Sequence, residues 1–203
     1  SVIKRQITEP LKERSLRNQI RQITPVQNSI SQAVREQYEE NPYPRWIKTP
    51  LALKSRNLGP ALRSSPLFFD LGDYTSPENP EILDVGCGTG QYSLYTASRY
   101  SNARVLAVDL SLSSLSYAQR KTRELSFSNI EYVQGDLTEL GQLERRFDLI
   151  ECLGVLHHLG DPLAGWRVLV DLLRPGGLMN IGLYSETARQ DIINGHSIIA
   201  EKG

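Results

Sequence analysis

The sequence predicts an α/β fold, a doubly wound parallel sheet with helices on both faces, preceded by an N-terminal helical segment. Three observations predict it. After Pro80, short apolar runs alternate with helix-length segments, as in a parallel sheet wrapped by crossover helices. The first run opens into a glycine-rich turn, Gly86-Cys87-Gly88-Thr89-Gly90. The next two runs end at Asp109 and just before Asp136, so three neighbouring strand tips carry polar or glycine chemistry at the edge where open sheets bind ligands. Composition agrees: 39% of the 203 residues are hydrophobic and 23% charged, ordinary for one globular domain with an appendage.

From the N-terminus, residues 1–26 read as a linker or partial helix, because Ile3, Ile7, Leu11, Ile20 and Ile23 give only weak helical spacing. Residues 27–79 read as a helical or lid segment. Ile30, Ala33, Val34, Gln37 and Tyr38 mark a short amphipathic helix over 28–40, and Asn41-Pro42-Tyr43-Pro44 stops it. Residues 50–80 are rich in proline and glycine turns, with Phe68 and Phe69 as expected core anchors. Residues 80–203 form the Rossmann-like unit. Strands are expected at 81–85, 104–109, 130–133, 147–152 and 178–183, and helices at 91–99, 113–125, 162–173 and 186–194.

The formal charge is zero, yet residues 1–60 carry 11 basic and 5 acidic side chains, a net +6, while residues 61–203 carry 12 and 18, a net −6. A solvated basic helix face is the plain reading, and a patch for an acidic partner the alternative. The bulk basic character of nucleic-acid binders is missing, so nucleic acid is not an expected partner. No run approaches the ~18 apolar residues of a membrane span, and no signal peptide opens the chain, so no membrane partner is expected. Cys87, Cys152 and three histidines support neither a disulfide framework nor a zinc site, which points to a reducing, cytoplasmic setting without a metal. Ser1 is not an initiator methionine, and the residues after Ser185 are too few for two further strands. The chain is therefore expected to be a piece of a longer protein, its sheet cut after the fifth strand and that edge open to self-association.

The chemistry follows from the strand tips. Glycines let a loop turn sharply and let a ligand approach the backbone with no Cβ between. The helix after the loop turns its first amides toward a carboxylate or phosphate. Asp109, about 20 residues on, can accept hydrogen bonds from both hydroxyls of a ribose. At Gly135-Asp136-Leu137, a carboxylate can receive an exocyclic amine while a leucine packs on a base. Each acid alone reads equally as a helix N-cap, and the loop alone as a structural turn; three in series favour a ligand. The spacing is G-x-G-x-G, with Gln91 where the dinucleotide fingerprint needs glycine, which disfavours a nicotinamide cofactor.

These strings resemble the class I S-adenosylmethionine-dependent methyltransferases. EILDVGCGTGQ is similar to that family's first motif, VLAVDLS to its ribose-binding strand and QGDL to its adenine-side motif. FDLIECLGVLHHL is similar to its fourth-strand motif and LLRPGGLMNIGLYS to the turn into strand five, over about residues 80–185. The resemblance implies S-adenosylmethionine as cofactor and methyl transfer to an O, N or C nucleophile of a small molecule. It implies that Gly86, Cys87, Gly88 and Gly90 face the methionine part and that Asp84 helps hold its ammonium. Asp109 would take the ribose, Leu110 would lie on the adenine, and Asp136 and Leu137 would bracket the base. Cys152 and Leu153 would line the cofactor near the transferable methyl, although a small buried hydrophobe is the plainer reading of Cys152.

His157 and His158 are candidates for a general base, set against a packed or capping role at the head of a helix. With only His196 besides, metal ligation finds no support. The segment from Gln37 to Trp46 resembles one that precedes the methyltransferase domain in bacterial proteins that also carry tetratricopeptide repeats. Its Tyr38, Tyr43 and Trp46 are lid or substrate candidates, since aromatic side chains exclude water and favour a sulfonium; simple anchoring is the alternative. Three other functions compete: a cofactor-binding or assembly module without turnover, a protein methyltransferase, and a nucleotide-dependent oxidoreductase. The Asn-Pro-Pro-Tyr-type signature of amino-nitrogen methylation is absent after the fourth strand, which runs into Cys152-Leu153-Gly154-Val155.

Overall fold

The computed structural model describes residues 2–64, 70–185 and 187–202. The expected anchors Phe68 and Phe69, and Glu186 at the expected start of the last helix, lie outside the described residues. Six parallel strands form one sheet in the order β1-β4-β3-β2-β5-β6. They are β1 (Arg21–Gln22), β2 (Glu81–Val85), β3 (Arg104–Asp109), β4 (Ile130–Gln134), β5 (Phe147–Leu153) and β6 (Leu173–Gly182). The helices are α1 (Glu9–Arg17), α2 (Ser29–Glu40), α3 (Leu58–Arg63), α4 (Gln91–Arg99), α5 (Leu112–Glu124), α6 (Pro162–Leu172) and α7 (Gln190–Lys202). From β2 the chain steps outward through β3 and β4, then returns to the other side of β2 with β5. That reversal opens a crevice at the carboxyl ends of the strands.

The central strands are buried on both faces, which is why they read as continuous apolar runs rather than alternating ones. Ile82, Ala107 and Leu149 pack with Leu115 and Ala118 of α5 on one face. Leu83, Val85, Leu106, Val108 and Ile150 pack with Leu169 and Leu172 of α6 on the other. Ser111 caps α5 through the amide of Ser114, and Asp161 caps α6 through Leu163 and Ala164, with Pro162 in the first turn. β6 starts earlier than expected. Leu173 pairs with Phe147 and Leu178 with Leu149, so residues 174–177 loop out between them, with Gly176 at φ +77°. β6 is an edge of the described sheet, and α7 begins four residues later than the helix expected at 186.

Within residues 2–26, read from the sequence as a linker or partial helix, the structure shows regular elements. They are a π-helical turn (Lys4–Thr8), α1 and β1, and β1 adds to the far edge of β4. The weak apolar spacing concealed this order because α1 is held by charge. Glu13, buried, accepts from Arg120 Nε at 2.9 Å and through both oxygens from Arg45 at 3.0 Å. Arg120, itself buried, also bonds Glu124 at 2.8 Å. Two hydrogen bonds then continue the β1 register, from Ile23 N to the carbonyl of Gln134 and from the Asp136 amide to Thr24 Oγ1. This close approach requires Gly135, where a Cβ would sit 3.1 Å from Ile23 and 3.2 Å from Thr24.

Candidate functional site

The glycine turn closes β2 over the tip of β3. Gly86 and Cys87 donate their amides to the Val108 carbonyl at 2.8 and 3.1 Å, and Gly88 donates to Asp109 Oδ2 at 2.8 Å. Gly86, Gly88 and Gly90 all have positive φ. They differ in what surrounds them. A Cβ on Gly86 would lie 2.1 Å from Val155, and one on Gly90 2.6 Å from Ala118 and from the Tyr132 hydroxyl, so these two allow close packing. Only at Gly88 is there room above the backbone, where the nearest atom is the Tyr43 carbonyl at 3.8 Å.

A cleft of about 260 Å³ joins Gly86, Gly88, Asp109, Leu110, Asp136 and Leu137. Leu153, His158, Tyr38 and Tyr43 also line it. Asp109 accepts the amides of Ser111 and Gly88, one on each oxygen. Burial pushes its carboxyl up from the usual range, and these amides partly offset that. Asp136 accepts the amide and hydroxyl of Thr138 on Oδ1, at 3.0 and 2.8 Å. Its Oδ2 is buried in the cleft wall with no partner. A buried acceptor left open costs about 1–3 kcal/mol, so a donor arriving there gains unusually much.

The far wall of the cleft comes from the N-terminal segment, where α2 presents Ile30, Ser31, Val34 and Tyr38. Glu39 fastens this wall in place. Its carboxylate accepts the amides of Leu112 and Ser113 at 2.6 and 3.2 Å and the Ser113 hydroxyl at 2.6 Å, capping α5 from outside, and Arg17 pairs with it at 3.1 Å. A second cavity, of about 470 Å³, lies against the loop and is bounded by Tyr43, Thr49, Cys87, Gln91, Tyr92 and Tyr95. Tyr43, Gly86 and Gly88 belong to both spaces.

Several expected site residues stand elsewhere. Trp46 is not at the cleft: it is buried, donates Nε1 to the Thr89 carbonyl at 3.1 Å and meets Tyr117 edge-on, while its carbonyl accepts the Tyr117 hydroxyl. It anchors the segment from Gln37 to Trp46 to the glycine turn, and Thr89 Oγ1 returns a bond to the Pro44 carbonyl at 2.6 Å. Cys152 is fully buried in the core beneath the site, where burial raises its thiol to about 12. Its strand position turns it away from the cleft that its neighbour Leu153 reaches. Asp84 is buried behind the loop and accepts Ser93 Oγ at 2.5 Å. His157 stacks between His158 and Tyr184, with centroids 4.3 and 3.9 Å away, and neither ring nitrogen has a partner. Burial, His158 and Arg189 lower its pKa from the ordinary imidazole value. The sequence reading did not single out Glu39, Tyr92, Glu151 or Tyr184 as site residues, and it took Val34 only as a mark of the amphipathic helix. Among the described residues no group of His, Cys, Asp and Glu is arranged to hold a metal, and no helix is long and apolar enough to cross a membrane.

Residues 82–177 match a methyltransferase-domain family. A 114-residue stretch is 40% identical to an uncharacterized protein of Synechococcus sp., covering 56% of this chain and 27% of that protein. A 98-residue stretch is 33% identical to the ubiquinone biosynthesis O-methyltransferase of Acinetobacter baylyi, covering 48% of this chain and 40% of the other. The chain thus spans well under half the length of these relatives. The structure of PKMT2 from Rickettsia typhi in complex with AdoHcy superposes with a TM-score of 0.52 at 26% identity, over 66% of this chain and 26% of that one. With its Rossmann-like sheet, glycine turn and paired strand-tip carboxylates, the chain has the methyltransferase fold, and residues 82–177 are similar to S-adenosylmethionine-dependent methyltransferases, a family whose cofactor is S-adenosylmethionine.

Proposed function

We propose that this chain binds S-adenosylmethionine in the cleft between α2 and the tips of β2, β3 and β4, and transfers its methyl group to a small molecule. The unpartnered Oδ2 of Asp136 carries the reading, because it shares one cleft with Asp109 and the glycine turn. There it would receive an exocyclic amine, with Leu110 and Leu137 against the base. Asp109 has acceptor capacity left for ribose hydroxyls beyond its two amide bonds. Gly88 leaves the methionine part room beside the backbone, and Asp84 reaches its ammonium through the loop. When bound, the cofactor supplies a methyl carbon already activated by its sulfonium. The protein's part is to hold that carbon in line with a nucleophile and to exclude water, effects worth about 7–11 kcal/mol in favourable cases.

The acceptor side is formed by Tyr43, Leu153, His158 and Tyr184. A base is required only for a nucleophile that must lose a proton, and His158, on the cleft wall, is placed for that. The names of the relatives, a ubiquinone biosynthesis O-methyltransferase and a phosphoethanolamine N-methyltransferase, support a small acceptor. The resemblance of the segment from Gln37 to Trp46 to tetratricopeptide-associated proteins supports a bacterial, cytoplasmic setting. Calorimetry with S-adenosylmethionine, S-adenosylhomocysteine and NAD tests the assignment. Binding of the first two but not NAD is expected, weakened about tenfold by Asp136→Asn. Binding of NAD alone would refute it. Label transfer from methyl-labelled cofactor by the full-length protein separates an enzyme from a binding module.

A further inference from the structure

Past Tyr43 the cleft gives way to the second cavity, and the two spaces differ in charge. Tyr43, Gly86 and Gly88 line both, so they meet over the glycine turn. The cleft carries the carboxyls of Asp109 and Asp136. Among the described residues that line the second cavity, none bears a charged side chain, and Tyr43, Tyr92, Tyr95, Pro44 and Pro50 supply its rings. Its volume of about 470 Å³ lies within the range of small-molecule sites, roughly 300–1,000 Å³. Two of the rings are braced by groups that do not line the cavity. Asn180 Nδ2 donates to the Tyr92 hydroxyl at 3.2 Å, and the Arg99 guanidinium lies 5.9 Å from the centre of the Tyr95 ring. Burial and the Glu151 carboxyl push the Tyr92 hydroxyl above its usual range, so it stays protonated. The Tyr92 and Tyr95 rings stand 6.0 Å apart, tilted by 40°. Thr49, on the same wall, has its hydroxyl buried without a partner. Tyr43 stands at the junction of the two spaces and is 74% exposed.

We propose that the second cavity is the specificity pocket for the methyl acceptor and takes an uncharged aromatic ring. This rests on the proposed function, which puts the acceptor side at Tyr43. A ring entering between Tyr43, Tyr92 and Tyr95 finds aromatic faces and edges to pack on, and the Thr49 hydroxyl serves one polar substituent. A carboxylate or an ammonium would give up its hydration for walls that offer no counter-charge. The same reasoning keeps the cofactor's methionine end, which bears both, on the cleft side of Gly88. Tyr95 is the specificity-determining residue. It lines the second cavity and not the cleft, so its loss acts on the acceptor and spares the cofactor.

The probes 2-naphthol, 2-naphthoate and 2-naphthylmethylammonium share one ring system and differ in charge at pH 7. Fluorescence titration of each into the 203-residue chain, with and without saturating S-adenosylhomocysteine, tests the pocket. The neutral probe should bind about tenfold more tightly than either charged one. Tyr95→Ala should weaken it about tenfold and Tyr95→Phe less than about twofold, while S-adenosylhomocysteine binds both variants within about twofold of the native chain. Tyr95→Glu, which brings a carboxylate to the same wall, should reverse the order in favour of the ammonium probe. Equal binding of the three probes, an order unchanged in Tyr95→Glu, or no loss in a Tyr95→Ala protein with native circular dichroism would overturn the proposal. Competition between 2-naphthol and S-adenosylhomocysteine would also overturn it, because the second cavity would then belong to the cofactor. If 2-naphthol keeps the expected pattern and S-adenosylhomocysteine does not bind, the cofactor assignment fails, and the acceptor role falls with it.

Discussion

The two walls of the cleft are built on different principles. The N-terminal wall is fastened at many points: Glu13 to Arg120 and Arg45, Glu39 to the head of α5, Thr89 to Pro44 and Trp46, Thr24 to Asp136. Tyr117 is flanked by two guanidinium groups, Arg45 and Arg120, at 4.7 and 4.9 Å. Among the described residues the C-terminal wall shows the ring contacts of His157 and Arg189 on Tyr184, the latter at 4.1 Å, beside a backbone bond from Gly154 to Gly182 at 2.9 Å, and it exposes Leu183, Tyr184, Ile192, Ile198 and Ile199. The contrast teaches a division of labour. On the proposed function, the wall that would hold the cofactor is prebuilt with satisfied polar networks, and the wall that would meet an acceptor is left adaptable.

The largest effect should come from cutting the firm wall at its centre. Arg120→Ala leaves Glu13 buried beside a lost partner and should cost about 3–5 kcal/mol, seen as a lowered denaturation midpoint. A midpoint within a degree or two of the native one would show that the network is ornamental. Next, Asp109→Ala removes both the Gly88 clamp and the ribose acceptor, so cofactor affinity should fall about 100-fold in a folded protein. Glu39→Ala uncaps α5 at the cleft and should cost about 1 kcal/mol, a roughly fivefold weaker cofactor by calorimetry. Smallest is Tyr184→Ala on the loose wall. Stability should stay within about 0.5 kcal/mol and cofactor affinity should not move, while turnover of an acceptor changes. A large loss of cofactor binding there would erase the distinction between the walls.

The sheet was legible because buried parallel strands print themselves as apolar runs ending in the turn and the two acids. Gly86, Gly88, Asp109, Leu110, Asp136 and Leu137 do meet at one cleft. The N-terminal wall was less legible, since its anchors are charged and a sequence does not say which of several arginines is buried. Arg120 sits in a helix that otherwise reads as half solvated, and its partner Glu13 lies 107 positions away. Trp46 showed the limit for aromatics: its size announced importance, and only its neighbours could decide between lid and anchor. Cys152 and Leu153 were taken together, although adjacent residues of a strand face opposite ways. Glu151 was hidden for the opposite reason, as one charged letter inside an apolar run that otherwise announced a buried strand.

The register of β1 has a consequence for synthesis. Arg21 and Gln22 pair with Val133 and Gln134, so their partners leave the ribosome more than a hundred residues later. Until then β1 must wait unpaired, and α1 with the isoleucines that flank it stays open to whatever nascent-chain factors attend it. The wall that is firmest in the finished molecule is thus one that cannot close until β4 has been made.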